Sequence, residues 1–152
     1  MNHNITNESV KQLAFNLKKL QTLNLSYCKN ITDGSIKYLG YIRNLYLTGT
    51  DVTDKSVKKL KNCYLLYLCH CGKITDKCIK ELNCYTLNLR GTNVTDDGIK
   101  DLKCHNLILA QCYKITDNGV KDLNCDSINL TRTKVTHTGI QKLKQRGINV
   151  LY

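Results

Sequence analysis

The strongest constraint on the fold is a short sequence motif that recurs along the chain. An apolar β-branched residue, a threonine and an aspartate return every 20 to 22 residues. The full copies are Ile31-Thr32-Asp33, Val52-Thr53-Asp54, Ile74-Thr75-Asp76, Val94-Thr95-Asp96 and Ile115-Thr116-Asp117, with looser copies at Ile5-Thr6-Asn7 and Val135-Thr136-His137. A repeat this short holds one strand and one short helix, which cannot bury its apolar face alone. The copies must therefore stack, and we predict a solenoid.

The strand half of each repeat alternates between apolar and other residues. We number its nine positions so that Ile42 is the first and Thr50 the ninth in the second repeat. The fourth and sixth positions are apolar, as in Leu45 and Leu47, and successive side chains of a strand point to opposite faces. We therefore predict that these two positions face the core, while the third, fifth and seventh positions face outward. The absence of proline agrees with an uninterrupted ladder of strand hydrogen bonds.

The helix half begins at the threonine and aspartate, whose oxygens can accept from the free N–H groups of the first turn. Apolar residues then recur at helical spacing, as in Ile36 and Leu39, and we predict helices of about two turns. One helix position is always small, as in Ser56, Cys78 and Gly98. Either close approach of the helix backbone to its neighbour or a local turn requirement explains this position.

The chain is predicted to be one α/β domain in which parallel strands are joined by right-handed crossovers. We expect residues 1–19 to form a helical cap or partial repeat, 20–147 to form six repeats and 148–152 to form a terminal strand. No apolar run reaches the roughly 18 residues that cross a bilayer, and no signal-like apolar segment follows the start. These features favour a soluble intracellular protein, in the cytoplasm or nucleus.

Nine cysteines occur, and most of them stand at fixed places in the repeat, so we expect reduced thiols rather than a disulfide framework. At the ninth position, inward-facing cysteine and threonine are predicted to donate to buried carbonyls; these residues are Cys28, Thr50, Cys71, Thr92, Cys112 and Thr133. At the first position, cysteines are expected to act as small hydrophobes; these are Cys63, Cys84, Cys104 and Cys125.

The pattern Cys-x-x-Leu-x-Leu-x-x-Cys-x-x-Ile-Thr-Asp, seen from Cys63 to Asp76, resembles the cysteine-containing class of leucine-rich repeats. The resemblance covers nearly the whole chain, which departs from the class by using threonine at alternate ninth positions. It implies a horseshoe with a curved parallel sheet on the concave face, short helices on the convex face and a role in binding macromolecules. Many relatives are the substrate-reading halves of F-box ubiquitin-ligase subunits, so an adaptor role of that type is implied, although no F-box precedes the repeats.

Catalytic and metal-binding arrangements are not favoured by the spacing of the candidate residues. Cys69 and Cys71 should face opposite sides of one strand, which works against a shared zinc ion. Cys69 is the one cysteine that the pattern leaves exposed, and Arg90 at the equivalent position of the next repeat would favour its thiolate. No carboxylate is evidently aimed at His70 or His105, as an activated nucleophile would need. We therefore predict no enzyme, no cofactor and no metal.

The positive charge is distributed unevenly between the strand segments and the rest of each repeat. The formal net charge is +11, yet no lysine falls within the first nine positions of any repeat. The lysines lie on helices and turns, whereas three of the four arginines, Arg43, Arg90 and Arg132, fall in strand segments. The lysine-rich convex face leaves open an alternative function, the salt-sensitive binding of nucleic acid or another anionic surface.

The concave face is the preferred candidate for recognition, because tyrosine and arginine are enriched at binding hot spots. The predicted partner-binding residues are Arg43, Tyr46, Tyr64, Leu65, Tyr67, Tyr85, Arg90 and Ile108. Tyrosine ladders that only stabilise neighbouring strands are the structural alternative. We predict a non-enzymatic scaffold for protein–protein interaction that binds a protein partner of unknown identity.

The end of the sequence, from Gly147 to Tyr152, resembles one more strand. Such a strand would present an unpaired edge to solvent, and exposed edges invite pairing with another chain. We therefore also predict that a homodimer forms through this edge.

Overall fold

A computed structural model describes residues 5–152, which form one seven-stranded parallel sheet with helices between the strands. The strands are β1 Thr22–Asn24, β2 Asn44–Tyr46, β3 Leu65–Tyr67, β4 Thr86–Asn88, β5 Asn106–Ile108, β6 Ser127–Asn129 and β7 Asn149–Leu151. The helices are α1 Asn7–Asn16, α2 Asp33–Ile36, α3 Asp54–Val57, α4 Asp76–Ile79, α5 Asp96–Ile99, α6 Asp117–Val120 and α7 His137–Gln145, with a 3₁₀ turn at Lys58–Leu60.

The strands pair in chain order, from β1 to β7, and every pair keeps the same repeat register. Leu45 of β2 pairs with Leu66 of β3, which pairs with Leu87 of β4. Equal positions of successive repeats therefore lie side by side and form columns across the sheet. The predicted right-handed βα solenoid is confirmed.

The core lies between the sheet and the helices. The fourth and sixth strand positions are buried from β2 to β6, and Leu45 and Leu47 have no exposed surface. Helix residues such as Ile36 and Leu39 close the core from the other side, also without exposure. Burying a leucine or isoleucine contributes roughly 1.5–3 kcal/mol, so the helices are held by this shared core rather than by their own hydrogen bonds.

The interior helices are shorter than the sequence pattern predicted. From α2 to α6 each contains four residues, which is about one turn instead of two. The chain then tightens, because Leu39 N–H donates to Ile36 O and Ile42 N–H donates to Leu39 O, both at 2.9 Å. These bonds span three residues, as in a 3₁₀ helix, whose larger rise brings the short repeat back to its next strand.

Each interior threonine begins a helix, and the following aspartate reaches into the next repeat. Thr75 Oγ1 accepts from Lys77 N–H, as predicted for a helix cap. Asp76, in contrast, accepts from the Thr95 backbone N–H at 2.7 Å and from the Thr95 hydroxyl at 2.6 Å. The same paired bonds join Asp33 to Thr53, Asp54 to Thr75, Asp96 to Thr116 and Asp117 to Thr136. The aspartates therefore form a ladder that links successive helix starts.

The small helix position makes room for this aspartate ladder. A β-carbon added at Gly98 would lie 2.7 Å from Asp76 Cγ, well inside van der Waals contact. At the equivalent position of α2, the Ser35 hydroxyl donates to Asn7 Oδ1 at 2.9 Å. The predicted close approach is thus confirmed, and its cause is a side chain of the preceding repeat.

No helix within residues 5–152 is both long enough and apolar enough to span a membrane. The division into cap, six repeats and terminal strand stays a prediction. Residues 1–4 of the predicted cap lie outside the described part of the chain.

Candidate functional site

The first feature of the concave face, the side of the sheet turned away from the helices, is a pair of tyrosines. Register pairs Tyr46 of β2 with Tyr67 of β3, and their ring centroids are 4.8 Å apart with planes inclined by 36°. Both side chains are half-buried. Burial, reinforced by the neighbouring Tyr46 and Cys69, raises the pKa of the Tyr67 hydroxyl. The pair offers a rigid aromatic contact area, and the raised pKa keeps the Tyr67 hydroxyl protonated.

A second aromatic column runs beside the starts of the strands, at the second repeat position. The Arg43 guanidinium lies 5.4 Å from the centre of the Tyr64 ring. Tyr64 stacks on Tyr85 with centroids 4.7 Å apart, and Tyr85 stacks on His105 at 4.5 Å. Stacked rings and a cation over a ring attract one another by about 0.5–1.5 kcal/mol per contact. We call Arg43, Tyr64, Tyr85 and His105 the aromatic column.

The aromatic column ends at an acidic residue that the sequence did not reveal. Asp126 Oδ2 lies 2.8 Å from His105 Nδ1, so the expectation that no carboxylate addresses His105 was wrong. The signal was present, because Asp126 occupies the same second position of the next repeat, and equal positions lie side by side. Since both side chains are exposed, the contact orients the imidazole at the surface.

An open cavity of about 560 Å³ lies against the aromatic column. It is lined by Tyr64, Asn83, Cys84, Tyr85, Lys103, Cys104, His105, Asn124, Cys125 and Asp126. The cavity therefore adds a groove with aromatic walls beside the concave face.

The other predicted contact residues are not all contiguous. Leu65 is half-buried and pairs with Asn44 and Thr86. Asn88, which is buried, stands between Tyr67 and Ile108. The apolar patch is therefore concentrated in β2 and β3, and Ile108 is separated from it by one polar strand.

Cys69 is buried, which contradicts the prediction of an exposed thiol. Its side chain is only 8% exposed, because the tyrosine pair and the neighbouring strands cover the seventh position here. Burial raises the pKa of Cys69, and the opposing effects of the Thr48 hydrogen bond and the Arg90 charge are smaller. Arg90 acts in the predicted direction but does not produce a reactive thiolate at neutral pH.

The ninth-position donors of the interior repeats, from Thr50 to Cys112, behave as predicted. Cys71 donates to Leu47 O and Cys112 donates to Leu89 O, both at 3.1 Å. Thr50 and Thr92 donate to the same two carbonyls at 2.7 Å. Each carbonyl therefore receives a threonine hydroxyl from its own repeat and a thiol from the next, which joins the repeats in pairs.

The first-position cysteines are buried, and burial raises the pKa of Cys84 and Cys104 to about 12. These thiols are therefore protonated at physiological pH. Among residues 5–152, no cluster of three or more histidine, cysteine or acidic side chains is arranged to hold a metal ion.

The lysines lie on the helices and turns, where nearly all of them are exposed. Lys73 Nζ lies 2.7 Å from Asp51 Oδ2, but both side chains are more than half exposed, and such pairs contribute about 0–1 kcal/mol. The concave and convex faces thus differ in chemistry, with aromatic rings and arginines on one and lysines on the other.

Comparison with known families agrees with the repeat geometry. The model of the Leucine Rich repeat family matches residues 16–40 and 86–103. The matched segments and the series of parallel strands together support a leucine-rich repeat protein. The matched segments cover β1 with α2 and β4 with α5, so two separate parts of the sheet carry the family pattern. Leucine-rich repeats generally mediate protein–protein interaction. A search of curated proteins found no match to this chain.

Proposed function

We propose that this leucine-rich repeat protein is a non-enzymatic scaffold that binds a protein partner through its concave face. The contact centres on Tyr46, Tyr64, Leu65, Tyr67 and Tyr85. Arg43 and Arg90 flank this centre, and Ile108 adds an outlying apolar contact across Asn88. A substrate-recognition adaptor of ubiquitin-ligase type would use the same face.

The proximity of the tyrosine pair in the strands to the aromatic column beside the strand starts carries this proposal. Tyr46 with Tyr67, Tyr64 with Tyr85 and Tyr85 with His105 make three ring contacts at centroid distances of 4.5 to 4.8 Å. Tyr64 and Tyr67, one from each group, are three residues apart in the chain. Rigid aromatic side chains bury a large area with little loss of rotamer entropy. Strand stabilisation alone would be served equally by aliphatic residues, whereas phenol groups at a half-exposed surface suit a partner that offers both apolar and polar contacts.

An intracellular location is part of the proposal. Cys71 and Cys112 stabilise buried carbonyls as thiol donors, and only a reduced thiol carries that proton. Reducing compartments preserve such thiols.

Affinity capture with paired variants tests the concave face. Tyr46→Ala with Tyr67→Ala should weaken partner binding about thirtyfold or more, because truncating a hot-spot residue costs about 2 kcal/mol and the two tyrosines act as one contact. The matched control is Lys59→Ala with Lys142→Ala on the convex face, where both lysines are exposed; it should change affinity less than about twofold. If a partner still bound the tyrosine variant but no longer bound the lysine variant, the interface would lie on the convex face and the proposal would be wrong.

Binding of nucleic acid or an anionic surface is the second candidate function, and the sided lysines and the net charge of +11 favour it. In that case affinity for generic RNA or DNA would fall steeply with added salt and would survive the two tyrosine changes. The same two pairs of variants therefore separate this function from the first.

Pairing of two copies through β7 remains a further proposal. β7 is the outermost strand of the described sheet, and Leu151 and Tyr152 are 61% and 57% exposed. We expect light scattering to show a concentration-dependent dimer that Val150→Pro abolishes, because proline removes a strand donor. A strict monomer at high protein concentration would rule out this pairing.

A further inference from the structure

We propose that a pocket between Arg90 and Arg132 receives a carboxylate side chain of an acidic peptide segment. This inference rests on the proposed function, since the segment would belong to the partner on the concave face. The inference specifies the chemistry of the partner, which would carry an acidic residue next to the part of its segment that covers the tyrosine pair.

The pocket lies on the concave face where β4, β5 and β6 end. Its volume is about 340 Å³, and it is lined by Arg90, Ala110, Gln111, Asn129, Thr131 and Arg132. None of these lining residues is acidic. Both arginines are exposed, and the guanidinium group presents a planar set of donors that matches a carboxylate in two-point contact.

The polar residues between the arginines leave donors toward the space. The Arg90 Nε–H group donates to Gln111 Oε1 at 3.3 Å, which holds the Arg90 side chain along the face and leaves its terminal nitrogens as donors. Asn129 Oδ1 accepts from Thr131 N–H at 3.0 Å, so the nitrogen of the Asn129 amide remains available. The pocket therefore offers donors from three residues and no competing carboxylate.

The turn after β6 sets how the Arg132 side chain is presented. Arg132 has a φ of 59°, in the left-handed region, whereas the equivalent short-turn repeats use Gly49 and Gly91 there. At those glycines a β-carbon would collide with Tyr27 and His70 of the preceding repeat. In the repeat before that of Arg132, the equivalent residue is Gln111, whose side chain is turned toward Arg90 instead. Tyr27, His70 and Gln111 adopt the same left-handed conformation at this position, so the turn itself sets the φ of Arg132 and presents its guanidinium group beside the pocket.

The pocket is continuous with the tyrosine pair. Arg90 is close enough to Cys69 to act on its pKa, and Cys69 in turn acts on Tyr67. A segment crossing the sheet from β2 toward β6 would therefore meet aromatic rings first and guanidinium groups next. This order predicts a partner segment with an apolar or aromatic residue followed by aspartate or glutamate.

Fluorescence anisotropy with a labelled octaglutamate peptide tests the pocket on the full chain. Arg90→Gln with Arg132→Gln should weaken binding about tenfold, because hydrogen bonds to a charged group are lost. Lys59→Gln with Lys142→Gln removes the same charge from the convex face and should weaken binding less than about threefold. Circular dichroism of both variants should match that of the unmodified chain.

Several outcomes would overturn the pocket. These are absence of octaglutamate binding, equal weakening by the two pairs of variants, and a phosphoserine peptide of equal charge binding more than about tenfold tighter. Because the peptide assay does not depend on the natural partner, its failure leaves the capture result with Tyr46→Ala and Tyr67→Ala intact. If the tyrosine variant captured the partner as well as the unmodified chain while the arginine variant still bound octaglutamate more weakly, only the aromatic contact would be wrong.

Discussion

Raising the pH from 7.5 to 10 under reducing conditions should remove several kcal/mol of folding stability from this protein. Burial raises the pKa of Cys63 and Cys125 to about 11 and that of Cys84 and Cys104 to about 12, against 9.0 for an exposed thiol. Below pH 9 these thiols are protonated in both the folded and the unfolded chain, so stability is unaffected. Between pH 9 and 11 the unfolded chain releases protons that the folded chain retains, and unfolding becomes easier.

The four thiols together should lower the free energy of unfolding by about 5 kcal/mol at pH 10, since each pH unit above 9 contributes up to about 1.4 kcal/mol per group. This loss is a large part of the roughly 5–15 kcal/mol that stabilises a typical domain. Urea unfolding with a phosphine reductant, followed by circular dichroism at the two pH values, measures the difference.

A pair of substitutions separates the thiols from the other groups that titrate at alkaline pH. Cys84→Ala with Cys104→Ala should be less stable at pH 7.5, because it removes buried atoms. It should nevertheless lose about 3 kcal/mol less stability than the unmodified chain on going to pH 10, because two of the buried thiols no longer titrate. An identical loss in the variant and the unmodified chain would show that the buried thiols do not govern the alkaline transition.

Replacing Gly98 by alanine should destabilise the protein by about 1–3 kcal/mol, although alanine favours helices in general. The added methyl group would meet the Asp76 carboxylate, whose carbon would lie 2.7 Å away. Asp76 would have to move and release its two hydrogen bonds to Thr95. Urea unfolding measures the loss.

Gly72 supplies the matched control for this prediction. A β-carbon there has no atom within 4 Å, so Gly72→Ala should change stability by less than about 0.5 kcal/mol. In the double variant Asp76→Ala with Gly98→Ala, the methyl group no longer meets a carboxylate. The double variant should therefore lose at least about 1 kcal/mol less free energy of unfolding than the sum of the losses in the two single variants. Strict additivity would argue against the ladder as the reason for the small residue.

Much of the fold was predictable because the repeat fixes it several times over. The alternation at Leu45 and Leu47 gave the buried face of the strands, and the threonine of each repeat gave the helix start. The ninth-position donors followed from the need to satisfy buried carbonyls. The aspartate ladder was not predictable in this way, because a residue such as Asp76 fits the start of its own helix equally well on local grounds.

The errors in the site came from treating positions singly. Cys69 was assigned to solvent from its strand parity, but a small side chain beside large tyrosines is covered by its neighbours. The contact of His105 with Asp126 links repeats whose spacing is regular, yet its formation depends on side-chain torsions that the repeat does not specify. Ile108 was grouped with Tyr67 by strand position, and only the register showed buried Asn88 between them.

Hydroxyl-radical footprinting of the complex with a captured partner tests most directly whether the concave face is the binding surface. Oxidation of Tyr46, Tyr64, Tyr67 and Tyr85 should slow at least about threefold on binding, as expected for aromatic hot-spot residues enclosed at an interface. Tyr113, which is 61% exposed in the turn after β5, should react at an unchanged rate. Unchanged oxidation of the four concave tyrosines, with protection appearing at the convex helices instead, would contradict the account.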